Sequence, residues 1–132
     1  MIFKNTIPMR LYSTKNKSKF VSLKEAVFKG LPEDNGLFMP ESFPQLPDEF
    51  IKNLNEFSFQ EIAFEVSKTL LQGYIPKNDL KNIIEKAVTF PAPVVKLNDE
   101  KYILELFHGP SLAFKDFGAR FMAQLMLSLI HI

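Results

Sequence analysis

The chain has 132 residues, 46% of them hydrophobic, and a net charge of +1 from 16 basic and 15 acidic side chains. The length allows one ordinary domain or two small ones, and the apolar share excludes disorder of the whole chain. The balanced charge provides no field to gather nucleic acid or an anionic membrane. With no cysteine and only His108 and His131, disulfides, a thiolate nucleophile and a Cys- or His-rich metal centre are excluded. No apolar run reaches the ~18–20 residues that span a bilayer. The N-terminus lacks the continuous apolar core of a secretory signal, so the expected compartment is the cytoplasm.

In chain order, Arg10–Tyr12 and Lys19–Val21 read as short strands around a polar turn at Ser13–Ser18. Ser22-Leu23-Lys24-Glu25 is a capping box, opening a helix that runs from Leu23 to Lys29 and stops at Gly30. Leu31–Pro47 carries four prolines and Gly36 and reads as turns and extended chain without regular structure. Asp48–Phe57 is a weak helix candidate. A second capping box, Ser58-Phe59-Gln60-Glu61, opens a helix whose apolar face is Phe59, Ile62, Ala63, Val66 and Leu70, ended by Gly73. After Pro76 a third helix presents Leu80, Ile83, Ile84, Ala87 and Val88.

The character changes at Phe90-Pro91-Ala92-Pro93. Val94–Leu97 and Tyr102–Phe107, around Asn98-Asp99-Glu100, predict a β-hairpin. Gly109 and Pro110 predict a tight turn. Leu112–Met126 has helical spacing, with Phe114, Phe117, Phe121 and Leu125 on one stripe and Gly118 placed to let the helix lie close to a neighbour.

One lysine, Lys115, therefore stands just inside a helix start, after a turn that follows a strand-like run. An amine attacks an aldehyde only when neutral, and free lysine is protonated at neutral pH. Burial among Phe114, Phe117 and Phe121 would disfavour the ammonium, and a helix starting near Ser111 would add a small push the same way. A nearby Asp116 carboxylate would oppose both. On local chemistry alone, a lysine that snorkels to water is the ordinary reading. Ser111 is either the helix N-cap or a hydroxyl facing substrate. His108 is either a general acid or base, or a hydrogen-bonded core histidine. Arg120 reads as a salt-bridge partner.

The run His108-Gly109-Pro110-Ser111-Leu112-Ala113-Phe114-Lys115-Asp116-Phe117-Gly118-Ala119-Arg120-Phe121 resembles the lysine motif of the threonine synthases, with serine at 111 for their common threonine. The likeness extends back through Val21–Val27, Gly30-Leu31-Pro32, Gly36–Pro40, Glu61-Ile62-Ala63, Pro91-Ala92-Pro93 and Leu104–Pro110. It implies a mixed α/β chain with an α-rich N-terminal domain over 1–89. Residues 90–126 would be the truncated start of a fold-type-II domain that binds pyridoxal 5'-phosphate (PLP). It implies that Lys115 is the catalytic and cofactor-binding residue, forming the Schiff base, with Ser111, His108 and Asp116 as substrate ligands or support. The family reaction converts O-phospho-L-homoserine and water to L-threonine and phosphate. A phospho-lyase that only eliminates phosphate, or a non-catalytic helical interaction module, are the alternatives.

Met9 resembles the family's start better than Met1, making 1–8 a candidate upstream extension. Leu127-Ser128-Leu129-Ile130-His131-Ile132 reads as a translated sequencing-adapter end, a non-native tail. The five glycines, at 30, 36, 73, 109 and 118, form no phosphate loop. The resemblance puts the phosphate cup downstream, so 1–132 alone is expected to be inactive.

Overall fold

A computed structural model describes residues 9–71 and 73–131. The candidate extension at 1–8 lies outside them. Strands β1 (Arg10–Ser13) and β2 (Asn16–Ser22) form an antiparallel hairpin around a two-residue turn, Thr14-Lys15. The predicted six-residue turn is thus too long, because pairing extends to Ser13 and Asn16. Leu11 and Ser13, two residues apart, place one face of β1 inward.

A third strand, β3 (Phe38–Pro40), pairs antiparallel with β1 and corrects the expectation of irregular chain there. Its strand character comes from its neighbours. Thr14 N–H donates to the Leu37 carbonyl at 2.9 Å, and Leu37 N–H donates to Thr14 Oγ1 at 3.0 Å. Asp34 Oδ1 accepts from Ser13 Oγ at 2.6 Å and from the Gly36 N–H at 2.9 Å, drawing the loop onto the hairpin. A side chain at Gly36 would strike Ser13 Oγ. Proline is tolerated in β3 because it lies at the sheet edge.

Helix α1 (Leu23–Lys29) has the predicted bounds. Ser22 Oγ accepts from the Glu25 N–H at 3.1 Å, and Gly30 closes the helix at φ 73°. Residues 48–57 form α2 (Asp48–Lys52) and a 3-10 turn (Leu54–Glu56). Helix α3 (Phe59–Leu71) opens on a complete capping box. The Glu61 carboxylate accepts from Ser58 N–H at 2.8 Å and Ser58 Oγ at 2.7 Å, while Glu61 N–H donates to Ser58 Oγ at 3.3 Å. Its inward face is rotated from the expected stripe. Phe64 and Leu71 meet the core, whereas Phe59 and Leu70 are exposed. Helix α4 (Lys77–Ala87) buries Leu80, Ile83, Ile84 and Ala87 as predicted.

The hairpin β4 (Val94–Lys96) and β5 (Tyr102–Leu104) pairs Val94 with Leu104, Val95 with Ile103 and Lys96 with Tyr102. All six residues are exposed, so both faces of this apolar ribbon meet solvent. The last helix, α5 (Lys115–His131), joins the core through Leu125 and Leu129. These pack in one cluster with Leu11, Leu23, Ala26, Leu71, Ile75, Leu80 and Ile83, so the core draws on both sides of the 89/90 position. Residues 127–131 continue α5, and Leu129 is only 1% exposed. Gly118 is exposed with open space around it, so no close helix approach needs it.

Val94, Tyr102, Leu104, Phe107, Leu112 and Phe114 are among the large apolar side chains left in water.

Candidate functional site

The segment His108–Asp116 connects β5 to α5. His108 Nε2 lies 2.7 Å from Glu105 Oε2, and the Phe107 ring stacks on the imidazole with centroids 4.8 Å apart. Glu105, three residues before the histidine, was not singled out in the sequence; that spacing was its signal. The next residues form a turn closed by Leu112 N–H donating to the Gly109 carbonyl at 3.0 Å. The predicted Gly-Pro turn is therefore present.

The helix, however, starts at Lys115, three residues later than the periodicity of Leu112–Met126 suggested. The cause is Asp116, whose carboxylate reaches back over the turn. Oδ2 accepts from the Ser111 N–H at 2.7 Å, and Oδ1 accepts from Ser111 Oγ at 2.5 Å. Ser111 thus donates to an aspartate instead of capping the helix with its oxygen. The Asp116 carboxyl lies below its ordinary value, first because the Ser111 hydroxyl donates to its charged form, with further help from backbone N–H groups and the Lys115 charge. Burial acts in the opposite direction. The carboxylate passes so close to Gly109 that a Cβ there would sit 2.5 Å from Oδ2. Glycine is required at 109 for this approach.

Within the loop Leu112 has φ 55°, a left-handed conformation rare for a bulky side chain. It is 75% exposed, and Phe114 is 72% exposed. Lys115 is exposed at the first residue of α5. The expected apolar sleeve of Phe114, Phe117 and Phe121 is absent. Phe114 points to solvent, and Phe117 turns to Phe59 (5.8 Å, edge-on) and Phe90 (4.6 Å). Phe121 packs against the core. The three rings diverge because α5 lies along α4, burying only one side.

Arg120 also departs from its expected role. Its Nε donates to the Ala87 carbonyl at 3.1 Å, and Nη2 to the Lys86 carbonyl at 2.8 Å and Thr89 Oγ1 at 3.2 Å. These acceptors include carbonyls of the last turn of α4, which lack helical partners. Arg120 caps α4 instead of pairing with a carboxylate.

A groove of about 560 Å³ lies elsewhere, between α3 and α4, lined by residues such as Phe57, Phe64, Lys77 and Ile84. Among the described residues no group of three or more His, Asp or Glu side chains is placed to hold a metal ion. No helix among them is long and apolar enough to cross a membrane.

Residues 10–88 match the family described as the threonine synthase N terminus. The chain belongs to this family. A threonine synthase from Haemophilus influenzae is 44% identical over 121 residues, which make up 92% of this chain and 28% of that relative. The crystal structure of threonine synthase from Escherichia coli superposes with a TM-score of 0.87 at 37% identity, covering 92% of this chain and 28% of that one. A PLP-bound threonine synthase from Brucella melitensis gives 0.85 at 33% identity, covering 93% and 28%. The chain thus spans a little over a quarter of the length of these relatives, and the mixed α/β fold is that of their N-terminal part. The motif from Leu104 to Phe121 lies beyond the matched family segment.

The site fits one end of PLP. An accessible primary amine at a helix start suits the cofactor's aldehyde, and the surrounding surface is open. The described residues around Lys115 include no glycine-rich cradle for a phosphate.

Proposed function

We propose that this chain supplies the N-terminal part of a PLP-dependent threonine synthase, a cytoplasmic enzyme converting O-phospho-L-homoserine and water to L-threonine and phosphate. The observation that carries the proposal is the membership in the threonine synthase N-terminal family together with the placement of Lys115, exposed at the first residue of α5 behind the Gly109-Pro110 turn. The two-sided apolar hairpin favours a larger catalytic body over a self-contained interaction module. Residues 1–89 would form the N-terminal domain, and 90–126 the opening of the cofactor domain.

Lys115, exposed at the start of α5, would hold the cofactor through its Nζ and would move protons at the reacting carbons of the substrate. PLP, when bound, supplies the electron sink that makes carbanion chemistry accessible. His108 supports the turn, since Glu105 engages its Nε2. Ser111 is likewise support, its hydroxyl being donated to Asp116.

A chimera tests this reading: residues 1–126 replace the matching segment of the H. influenzae relative. Threonine and phosphate formed from O-phospho-L-homoserine, both lost in Lys115→Ala, are the expected result. Phosphate with a 2-oxo acid in place of threonine would assign the phospho-lyase instead. Full turnover in Lys115→Ala would refute the assignment of the lysine.

A further inference from the structure

We propose that the Asp116 carboxylate, gripping Ser111 across Gly109, is a positioning latch that sets the direction in which Lys115 is presented; the inference rests on the reading of Lys115 given above. Consecutive helical residues project about 100° apart. Burying Asp116 against the turn therefore turns Lys115 away from the body and into the open. Asp116 is 7% exposed, while Lys115 and Phe114 are exposed.

The arrangement is more specific than a helix cap. A cap needs one oxygen facing an N–H of the first turn. Here two oxygens of one carboxylate take both donors of a single upstream residue, at 2.7 and 2.5 Å. Such charge-assisted pairs are the strong and directional ones. They hold a loop in which Leu112 is left-handed and Gly109 lies beneath the carboxylate with no room for a methyl group. Asp116 N–H also donates to the Ala113 carbonyl at 3.1 Å, so the same residue closes the turn immediately before Lys115. A conformation rare for leucine persists only where its surroundings over-determine it. The residue whose direction is determined in consequence is the lysine.

Two measurements decide the matter. In the 132-residue chain, backbone chemical shifts should show Leu112 leaving the left-handed region and Lys115 losing helical character in Asp116→Ala. Unchanged shifts at both residues would overturn the latch. In the PLP-loaded chimera, borohydride trapping and peptide mapping should show at least tenfold less cofactor at Lys115 in Asp116→Ala and in Gly109→Ala. The double variant should be no worse than either single one, because both break the same contact. Asp116→Glu should not restore trapping. Ile83→Val, a core change on α4, should lower the melting temperature and leave trapping intact. Trapping at the parent level in both Asp116→Ala and Gly109→Ala overturns the latch while leaving Lys115 assigned. Trapping that survives Lys115→Ala overturns the underlying reading instead.

Discussion

Arg120 offers the sharpest test of how α5 is held. Its guanidinium spans three acceptors on the far end of α4: the carbonyls of Lys86 and Ala87 and the Thr89 hydroxyl. A hydrogen bond from a charged donor contributes about 1.5–3 kcal/mol when shielded, and neutral or exposed ones nearer 0.5. The bond to Ala87 is part-buried and the other two are exposed. Taking about 1.5 for the first and about 0.5 for each of the others gives roughly 2.5 kcal/mol for Arg120→Ala. For a chain of this length that lowers Tm by about 8–12 °C. Arg120→Lys should recover less than half of the loss, since one ammonium cannot reach three acceptors in a fixed fork. Calorimetry or circular dichroism melts of the 132-residue chain read the effect. If Arg120→Ala melts within about 2 °C of the parent, or if lysine restores the parent value, the capping argument fails.

Acid should destabilise the chain through three carboxylates held by serine hydroxyls: Asp34 by Ser13, Glu61 by Ser58 and Asp116 by Ser111. Each folded-state pKa lies below its ordinary value of 3.8 for aspartate or 4.5 for glutamate. Their stabilisation is therefore complete above those values and is lost as pH falls through the lower folded ones. Lys29, raised above 10.5 mainly by its hydrogen bond to Glu33, acts at the other end; its contribution is lost only as pH rises through that higher value. A urea midpoint that stays flat from neutral pH down to about pH 3 would contradict the acid half of this. The exposed apolar hairpin predicts self-association, and placing a charge on it with Ile103→Glu should weaken it. Sedimentation that shows the parent monomeric at about 100 μM would remove the basis for that expectation.

Sequence and structure agree where the cause is local. Ser22 and Gly30 bound α1, Ser58 and Glu61 open α3, and Leu80, Ile83, Ile84 and Ala87 mark the buried side of α4. Each signal lies within one turn of the residues it governs, so spacing alone reveals it. At the candidate site Lys115 was singled out only by the family resemblance, whereas the Gly109-Pro110 turn was legible in the same way as those signals. The late start of α5 was not, because it depends on Asp116 reaching five residues back to Ser111.

What tertiary structure alone decided lies at longer range. Strand β3 exists because β1 offers an edge and Asp34 anchors the loop, although its own three residues carry almost no strand signal. Spacing puts Phe114, Phe117 and Phe121 on one stripe, yet Phe114 stands exposed in the turn before α5 while Phe117 packs on Phe90 and Phe121 on the core. Arg120 finds carbonyls 33 and 34 residues away that no spacing rule connects to it. Periodicity reports which side of an element is apolar, but the partner that covers it is a property of the assembled chain.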